Sequence, residues 1–409
     1  MKKQTNIRYF TVLAVLLAAG MSGYWYSTGL PLPQIINIGF AILLAALPIP
    51  LWLSRPVALA RGAKRAAKEE EILLAHPAVI AETAKLDTLV VAKDGIVTEG
   101  NPYIAALVPE GISQGALLGL AASAVRDSSN PLFQAIYRTA IERRQHLQRL
   151  SAANEFPGYG VEALINRSPL RVGKGEWLQQ EGIEISANLL TKADQLAQRG
   201  QTTVFVANDK YCRGIIALAD EIPQDNITAF HKLHRQKIKL IMLTGDSRRT
   251  ANAVRKQAHL DEVCSNLSPQ DKVREIQLLR AHGATMAMAG SLDSDTAAMA
   301  AADLSIHVGA LPEEPAGDME NPARPFPMTF SIVLQSGKLW DLSTLIDISR
   351  KTMGIVKTNR FIAAVTWLIL LPPALGLLHV FGGPFLPPFC AAAMQLTAAV
   401  LILLNSLRA

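Results

Sequence analysis

The sequence predicts an α/β protein in which a parallel sheet carries an inserted α+β domain and is joined to four transmembrane helices. Three observations predict this class. Hydrophobic residues make up 50% of the chain and charged residues only 18%, four long runs carry no charged side chain, and short apolar strands alternate with helical patterns between those runs. At 409 residues the chain is long enough for two or three domains.

Two uncharged runs open the chain and two close it. The opening pair covers residues 9–26 and 35–53, and the closing pair covers residues 361–381 and 385–407. Each run approaches or exceeds the roughly 20 residues that a helix needs to cross the hydrocarbon layer. A signal peptide is the alternative for the first run, but no small-residue cleavage site follows and a second span comes at once. We therefore expect four membrane spans.

Basic residues beside the spans predict the orientation. They are Lys2, Lys3 and Arg8 before the first span, Arg55, Arg61, Lys64, Arg65 and Lys68 after the second, and Arg350, Lys351, Lys357 and Arg360 before the third. By the positive-inside rule, both termini and the central domains lie in the cytoplasm, and the protein is a multi-pass protein of the inner, cytoplasmic membrane. The net charge of +6 lies mostly beside these ends, so it suits anionic lipid, and we expect no nucleic-acid partner.

Three apolar segments between the hairpins read as strands of a parallel sheet. They are residues 86–91, 239–243 and 285–289. Helical patterns alternate with them, at residues 225–236, 248–259 and 270–282. Because ligands bind at the carboxyl ends of parallel strands, the candidate site lies at residues 92–95, 244–246 and 290–295.

The domain boundaries follow from these elements. We predict a transmembrane hairpin at 1–54, a cytoplasmic linking helix at 55–85, a sheet domain at 86–102 and 208–345, an inserted domain at 103–207, a second linking helix at 346–360 and a closing transmembrane hairpin at 361–409. The proline-rich, acidic stretch from Leu311 to Pro327 reads as a loop. Cys212, Cys264 and Cys390 show no metal-ligand spacing, which suggests buried thiols in a reduced compartment.

Several segments, taken in order, resemble one known family. The matching segments are Asp87–Gly100 with a phosphorylation segment, Thr244-Gly245-Asp246 with a Thr-Gly-Asp turn, Pro269–Lys272 with a lysine motif, 290–303 with a second metal-binding segment, Pro157–Val161 with a nucleotide-domain glycine motif, and 394–408 with a last span. The chain resembles the heavy-metal (copper-type) P-type ATPases. This resemblance implies a haloacid dehalogenase-like parallel sheet, the phosphorylation domain, with an inserted nucleotide-binding-like domain. It also implies a degenerate, truncated member, because residues 55–85 leave no room for an actuator domain.

The resemblance places Ala92 where the family has the aspartate that accepts the terminal phosphate of ATP. A methyl group is no nucleophile, so no aspartyl phosphate is expected there. Ser291 stands where the family has a ligand of the magnesium ion that neutralises the transferring phosphoryl group, and Asp293 or Asp94 offers a replacement. The retained remnants are Lys93, Asp94, Thr244, Gly245, Asp246, Lys272 and Asp295.

Asp94 has two interpretations. In the wider haloacid dehalogenase-like superfamily its position holds a general acid, and a rewired nucleophile is conceivable. An acid without a nucleophile two residues earlier does not hydrolyse phosphate esters, so a solvated aspartate at the end of the strand is the favoured interpretation.

The possible nucleotide-binding residues of the inserted domain are Asn130, Pro131, Gly158 and Gly160. By resemblance, Asn130-Pro131 replaces a His-Pro pair and the two glycines are retained. Glycines permit a close backbone approach to a ligand, but they equally serve a tight turn. Both interpretations stay open from sequence.

The membrane metal site of the family is also altered. Its Cys-Pro-Cys, whose thiolates select copper(I) and zinc, corresponds here to Leu47-Pro48-Ile49. Met394 remains in the last span, but a single methionine in an apolar helix usually packs rather than binds a metal. No metal site and no transport path are therefore expected.

Together these substitutions predict a membrane-anchored, P-type ATPase-like pseudoenzyme, not an enzyme, that acts as a scaffold or regulatory subunit of a membrane protein complex. Its partners are expected to be the lipid bilayer and another membrane protein complex or ATPase subunit. The residues establish no cofactor, and ATP and Mg²⁺ are the candidates that the resemblance supplies. The alternatives are a copper or other heavy-metal transporting ATPase half completed by a separate actuator subunit, and a haloacid dehalogenase-like phosphatase that uses Asp94.

Overall fold

The computed structural model describes residues 2–69, 71–165, 168–290, 295–309 and 330–409, with only the backbone for residues 2–11 and 69. It divides into two compact units. The membrane unit comprises Met1–Lys85 and Leu345–Ala409, and the sheet unit comprises Leu86–Thr344. The predicted loop at 311–327 lies outside the described residues.

The elements follow one another along the chain in three runs. The first run is α1 (Lys2–Ser27), α2 (Leu32–Ala46), α3 (Ile49–Leu53), α4 (Pro56–Glu69), β1 (Ile72–Leu74) and α5 (Val79–Thr83). The second run is β2 (Thr88–Ala92), β3 (Tyr103–Pro109), α6 (Gln114–Ala124), α7 (Pro131–Glu142), β4 (Ala152–Phe156), β5 (Gly160–Ile165), β6 (Ser168–Gly173), α8 (Gly175–Gln180), α9 (Ala187–Ala197), β7 (Thr202–Asn208) and β8 (Tyr211–Ala219). The third run is α10 (Gln224–Arg235), β9 (Lys239–Leu243), α11 (Arg248–Gln257), β10 (Glu262–Cys264), α12 (Pro269–Ala281), β11 (Met286–Gly290), α13 (Thr296–Ala301), β12 (Leu304–Val308), β13 (Ile332–Leu334), α14 (Trp340–Ala374), α15 (Leu377–Val380) and α16 (Pro388–Ser406).

Within the described residues, three helical segments have the length and apolar composition to cross a membrane: Leu32–Lys68, Trp340–Ala374 and Pro388–Ser406. The first predicted span lies in α1, whose described apolar part, Val12–Ser27, is shorter. The count of four spans and the cytoplasmic orientation stay predictions.

The sheet unit is built on a parallel sheet in which its strands follow the order β13-β12-β11-β2-β9-β10. The central strands β2 and β11 are buried along their whole length. Near-continuous apolar runs are typical of parallel strands covered by helices on both faces. The predicted parallel α/β fold is confirmed, and each of the three predicted strands begins or ends within two residues of the observed one.

The inserted domain forms a second, antiparallel sheet with the order β3-β8-β7-β6-β5-β4. Side chains alternate between its two faces, as the pleat requires. Val204 and Val206 join one core cluster, while Phe205 and Ala207 join another on the opposite face. The predicted boundary after residue 207 falls inside β7, which pairs with β8 along this sheet, so the sheet continues to Ala219.

Candidate functional site

The carboxyl ends of β2, β9 and β11 meet at one edge of the parallel sheet. Ala92 lies opposite Leu243 and Val91 opposite Ala289, so the carboxyl ends of the three strands lie side by side. The predicted juxtaposition is therefore observed. The Ala92 methyl group is buried at this edge, whereas Ser291 and Asp293 lie outside the described residues.

Lys93 points into the protein and pairs with two carboxylates. Its Nζ donates a hydrogen bond to Asp246, lies 3.2 Å from Asp94 Oδ1 and 3.3 Å from Thr202 Oγ1. Burial by itself would lower the pKa of Lys93, but the carboxylates of Asp246 and Asp94 outweigh it, so the pKa is raised and the ammonium stays charged. The side chain of Asp94 is 61% exposed, and its role stays a prediction.

A second ion pair joins α12 to the segment after β11. Ser268 and Asp271 form a capping box that starts α12, which places Lys272 in the first turn of the helix. Lys272 Nζ donates to Asp295 Oδ1 at 2.7 Å, and the carboxylate side chain is only 2% exposed. Gly290 makes this approach possible, since a Cβ there would lie 2.6 Å from Asp295 Cβ.

The Thr244-Gly245-Asp246 turn is stabilised by hydrogen bonds and lies close to a lysine of the inserted domain. Thr244 is buried, its N–H donates to Cys264 O at 3.0 Å, and its Oγ1 accepts from the Asp246 N–H at 3.1 Å. Lys174, from the inserted domain, brings its Nζ to 3.9 Å from the position that a Cβ would take on Gly245. Burial lowers the pKa of Lys174, and the nearby carboxylates of Asp246 and Glu176 oppose that shift. Sequence reasoning missed Lys174, because nothing local marks it.

Of Asp94, Asp246 and Asp295, only Asp94 has a largely exposed side chain that a magnesium ion could reach. Mg²⁺ takes oxygen ligands and is usually bound through one or two carboxylates. Here Asp94 and Asp246 share the single Lys93 ammonium, and Asp295 pairs with Lys272, so two ammonium groups face three carboxylates in the described part of the edge. The edge therefore carries internal counter-charges where a metal ion would have to bind.

The candidate nucleotide residues Asn130 and Pro131 begin a helix. Asn130 Oδ1 accepts a hydrogen bond from the Leu132 N–H at 2.9 Å, and Pro131 is the first residue of α7. An asparagine cap followed by proline is a common helix start. Their position thus has a structural cause that needs no ligand.

Gly160 and Gly158 differ in their surroundings. A Cβ on Gly160 would lie 2.7 Å from Gly173 Cα and 2.8 Å from Trp177 Cζ3, so packing within the domain requires this glycine. Gly158 has φ +83° and open space around it, which is typical of a tight turn. The structural interpretation holds for Gly160, and the Gly158 turn leaves room for a ligand.

The membrane unit has a break where the family places its metal site. Helix α2 ends at Ala46, and α3 starts at Ile49 after Pro48. The amide Nε2 of Gln395 donates to the carbonyls freed there, at 3.3 Å to Leu44 O, 3.2 Å to Ala45 O and 3.0 Å to Leu47 O. Gln395 was missed from sequence, although a polar residue inside an apolar run is a known functional signal.

The other candidate positions of the membrane site point away from this contact. Ile49 and Met394 are exposed, whereas Gln395 is buried.

Residues 86–303 match the haloacid dehalogenase-like hydrolases. The chain belongs to this family. The predicted haloacid dehalogenase-like fold is thereby confirmed. The curated relatives and solved structures below confirm the resemblance to heavy-metal P-type ATPases.

Curated relatives match almost the whole chain. A probable copper-exporting P-type ATPase of Archaeoglobus fulgidus is 32% identical over 405 residues, which is 98% of this chain and 48% of the relative. A silver exporting P-type ATPase of Salmonella typhimurium is 30% identical over 409 residues, with 98% and 47% covered. The chain spans about half the length of these curated relatives.

Solved structures of ATPases are also similar to this chain. A zinc-transporting PIB-type ATPase in its E2.Pi state superposes with a TM-score of 0.65 at 26% identity, covering 98% of this chain and 62% of that one. The catalytic domain of a CPx-ATPase, studied for its conformational changes upon nucleotide binding, gives a TM-score of 0.51 at 25% identity and covers 67% of this chain and 94% of that domain.

The prediction that the chain is not an enzyme is wrong on this comparison. The relatives and the solved structures are ATPases, which are enzymes. The prediction rested on single positions such as Ala92, whereas family membership rests on the sheet and on the order of the motifs. Ala92 describes what that one position can do, and it does not define the class of the chain.

Replacing Lys272 by Met should destabilise the protein by about 3 kcal/mol or more, because the buried Asp295 carboxylate loses its partner. Thermal unfolding of the full chain in detergent measures this. Arg274→Gln, on the exposed side of the same helix, is the matched control and should leave the midpoint unchanged. Equal midpoints for both variants would show that the pair does not stabilise the edge.

Gly160→Ala should lower stability by about 1–3 kcal/mol through overpacking against Trp177. Gly158→Asn should be tolerated, since asparagine adopts positive φ and the site is open. Unfolding midpoints of the two variants, measured side by side, test this contrast. A tolerated Gly160→Ala would return this glycine to the list of ligand-contacting candidates.

Gln395→Leu should destabilise the membrane unit by about 1–2 kcal/mol, because the carbonyls of α2 lose their donor in an apolar surrounding. Thr397→Val is the control, since Thr397 is exposed and bonds only to Ala393 O of its own helix among the described contacts. Thermal unfolding in detergent compares them. A larger loss for Thr397→Val would contradict the role given to Gln395.

Proposed function

We propose that this chain is a membrane-anchored, P-type ATPase-like subunit of a membrane protein complex that handles heavy-metal cations. In this proposal it acts as the scaffold or regulatory subunit, responds to nucleotide, and forms no aspartyl phosphate at position 92. The observation that carries the proposal is the buried methyl group of Ala92 at the carboxyl end of β2. A phosphoryl acceptor must be a nucleophile, and a methyl group has no lone pair to attack with.

The intact surroundings of Ala92 support a retained use of the fold. The Lys272–Asp295 pair, the capped start of α12 and the braced Thr244 turn all persist around it. Burying an ion pair costs free energy unless its geometry is good. Since the chain keeps well-formed buried pairs at this edge, we infer that these residues serve a binding role. A nucleotide response is one such role, with ATP as the ligand to test.

The membrane part of the proposal rests on the broken helix. At the position of the family's thiolate ligands, the Gln395 amide donates hydrogen bonds to the carbonyl oxygens of Ala45 and Leu47. A span closed in this way suits an anchor that packs against a partner better than a path for ions. The cytoplasmic placement of the sheet unit, taken from the basic residues near the spans, belongs to the same proposal.

A second candidate function keeps phosphoryl transfer on this chain. Asp94 follows the buried Lys93 directly, and its exposed carboxylate lies 3.2 Å from the Lys93 ammonium. In that case the chain would be the catalytic half of a copper or other heavy-metal ATPase, completed by an actuator on another polypeptide, or a phosphatase that works through Asp94. The relatives named as copper and silver exporters favour metal transport as the activity of such an assembly.

Trapping labelled phosphate separates the two candidates. The purified full chain is incubated with ATP labelled at its terminal phosphate, with magnesium present, and quenched in acid. We expect no label on the wild-type chain, and Asp94→Asn should behave identically. Label that appears on the wild type and vanishes in Asp94→Asn would reject the first proposal in favour of the second.

The role within a complex has its own measurement. Crosslinking in native membranes, followed by mass spectrometry, should join this chain to a membrane ATPase or transporter. Recovery of the chain only as itself, at native abundance, would speak against a subunit role.

A further inference from the structure

Two histidine rings meet on the surface of the sheet unit. His231 lies in α10, His259 follows the end of α11, and their ring centroids are 5.0 Å apart with an angle of 39° between the ring planes. Both side chains are exposed. Helix α10 leads into β9 and α11 leads into β10, so the pair lies towards the amino ends of these parallel strands, opposite to the carboxyl ends that meet near Ala92.

We propose that His231 and His259 bind a divalent transition-metal cation of the zinc type, as two imidazole ligands of one ion. The inference goes beyond the proposed function, which assigns no metal-binding residue. Imidazole nitrogen is a ligand that suits zinc, copper and nickel ions, whereas magnesium and calcium ions take oxygen ligands. Such a pair therefore selects a borderline cation against the hard ones.

The separation of the two rings fits two ligands of one metal ion. A zinc–nitrogen bond of about 2.0–2.1 Å puts the metal about 3.2 Å from the centre of each imidazole, and a tetrahedral angle then separates the two centres by about 5 Å. The observed 5.0 Å between His231 and His259 agrees with that value. Because both side chains are exposed, each ring can turn until one of its nitrogens faces the ion.

The pair supplies two protein ligands rather than a closed site. In the part of the chain that the structure describes, no three histidine, cysteine, aspartate or glutamate side chains are arranged to hold one metal ion. His234 lies one turn along α10, 3.0 Å from Asp261 Oδ2, and that oxygen also accepts from the Leu240 N–H at 2.7 Å. Water therefore completes the coordination, and we expect reversible binding that is weaker than in a structural zinc site.

The charges around the pair act in both directions. The C-terminal ends of α10 and α11 carry the negative ends of their helix dipoles, and Asp261 lies two residues after His259, so these groups favour a cation. Four basic side chains in the last turns of the two helices oppose it: Lys232, Arg235, Arg255 and Lys256. Repulsion between exposed charges is screened by water and salt, whereas metal–nitrogen bonds are short and direct, so the ligand bonds decide.

Zn²⁺ is the probe, because it has no redox chemistry and keeps its charge in reducing buffers. Calorimetry of the full chain in detergent, with any affinity tag removed, measures its affinity. We expect His231→Gln and His259→Gln each to weaken Zn²⁺ binding about tenfold or more, since two linked ligands become one. The double variant should show little further loss, because both side chains serve one ion. Millimolar Mg²⁺ should leave the wild-type affinity unchanged.

His282→Gln is the matched control. His282 is also an exposed histidine at the C-terminal end of a helix of the sheet unit, and its ring bonds to Leu278 O of its own helix at 2.7 Å. Its replacement should leave Zn²⁺ affinity unchanged.

His231→Phe separates metal binding from ring packing. It keeps an aromatic ring opposite His259 and removes both nitrogens, so it should weaken Zn²⁺ binding as much as His231→Gln does. As a second measurement, Zn²⁺ should raise the unfolding midpoint of the wild type and of His282→Gln, and should raise it less in the variants of the pair.

The possible outcomes separate this inference from the proposed function. Zn²⁺ binding that is insensitive to either His231→Gln or His259→Gln, or that His231→Phe retains, overturns the inference. An equal loss in His282→Gln reduces the effect to histidines in general and also overturns it. In each of these cases the proposed function stands, because phosphate trapping and crosslinking test it independently.

Discussion

Two buried lysine–aspartate pairs hold the carboxyl edge of the parallel sheet, and the rest of the site depends on them. Lys93 reaches Asp246 across 153 positions of sequence, and Lys272 reaches Asp295 across 23. Removing either partner would leave an uncompensated charge in a region of low dielectric constant, which is costly. The pairs therefore connect the end of β2 to the turn after β9, and the start of α12 to Asp295. They also engage the very carboxylates that a metal ion would need.

The membrane unit follows the same principle with neutral groups. Where α2 breaks before Pro48, carbonyl oxygens would be left without donors in an apolar surrounding, and the Gln395 amide supplies those donors. In both units, side chains of the chain itself donate to acceptors at these positions, while Gln395 Oε1 is buried and has no hydrogen-bond partner among the described residues.

Family membership and the chemistry of single positions carry different information. The match over residues 86–303 and the relatives that align with 98% of the chain place it among enzymes, which corrected our expectation from sequence. Ala92 limits one step at one position. In the inserted domain, a match to a family motif does not by itself show binding. Gly160 matches a motif glycine but packs against Trp177, and Asn130 replaces a motif histidine but caps α7.

The sequence by itself determined the elements and their order. Strands such as Lys239–Leu243, and apolar helices such as Pro388–Ser406, arise from local composition and periodicity, and so do the helix caps at Asn130 and Ser268. Only the tertiary structure decided which side chains meet. That Lys174 reaches Gly245, and that Gln395 reaches the carbonyls of α2, depends on segments far apart in the chain packing together. No local pattern encodes such contacts, because their energy exists only once the intervening chain has folded.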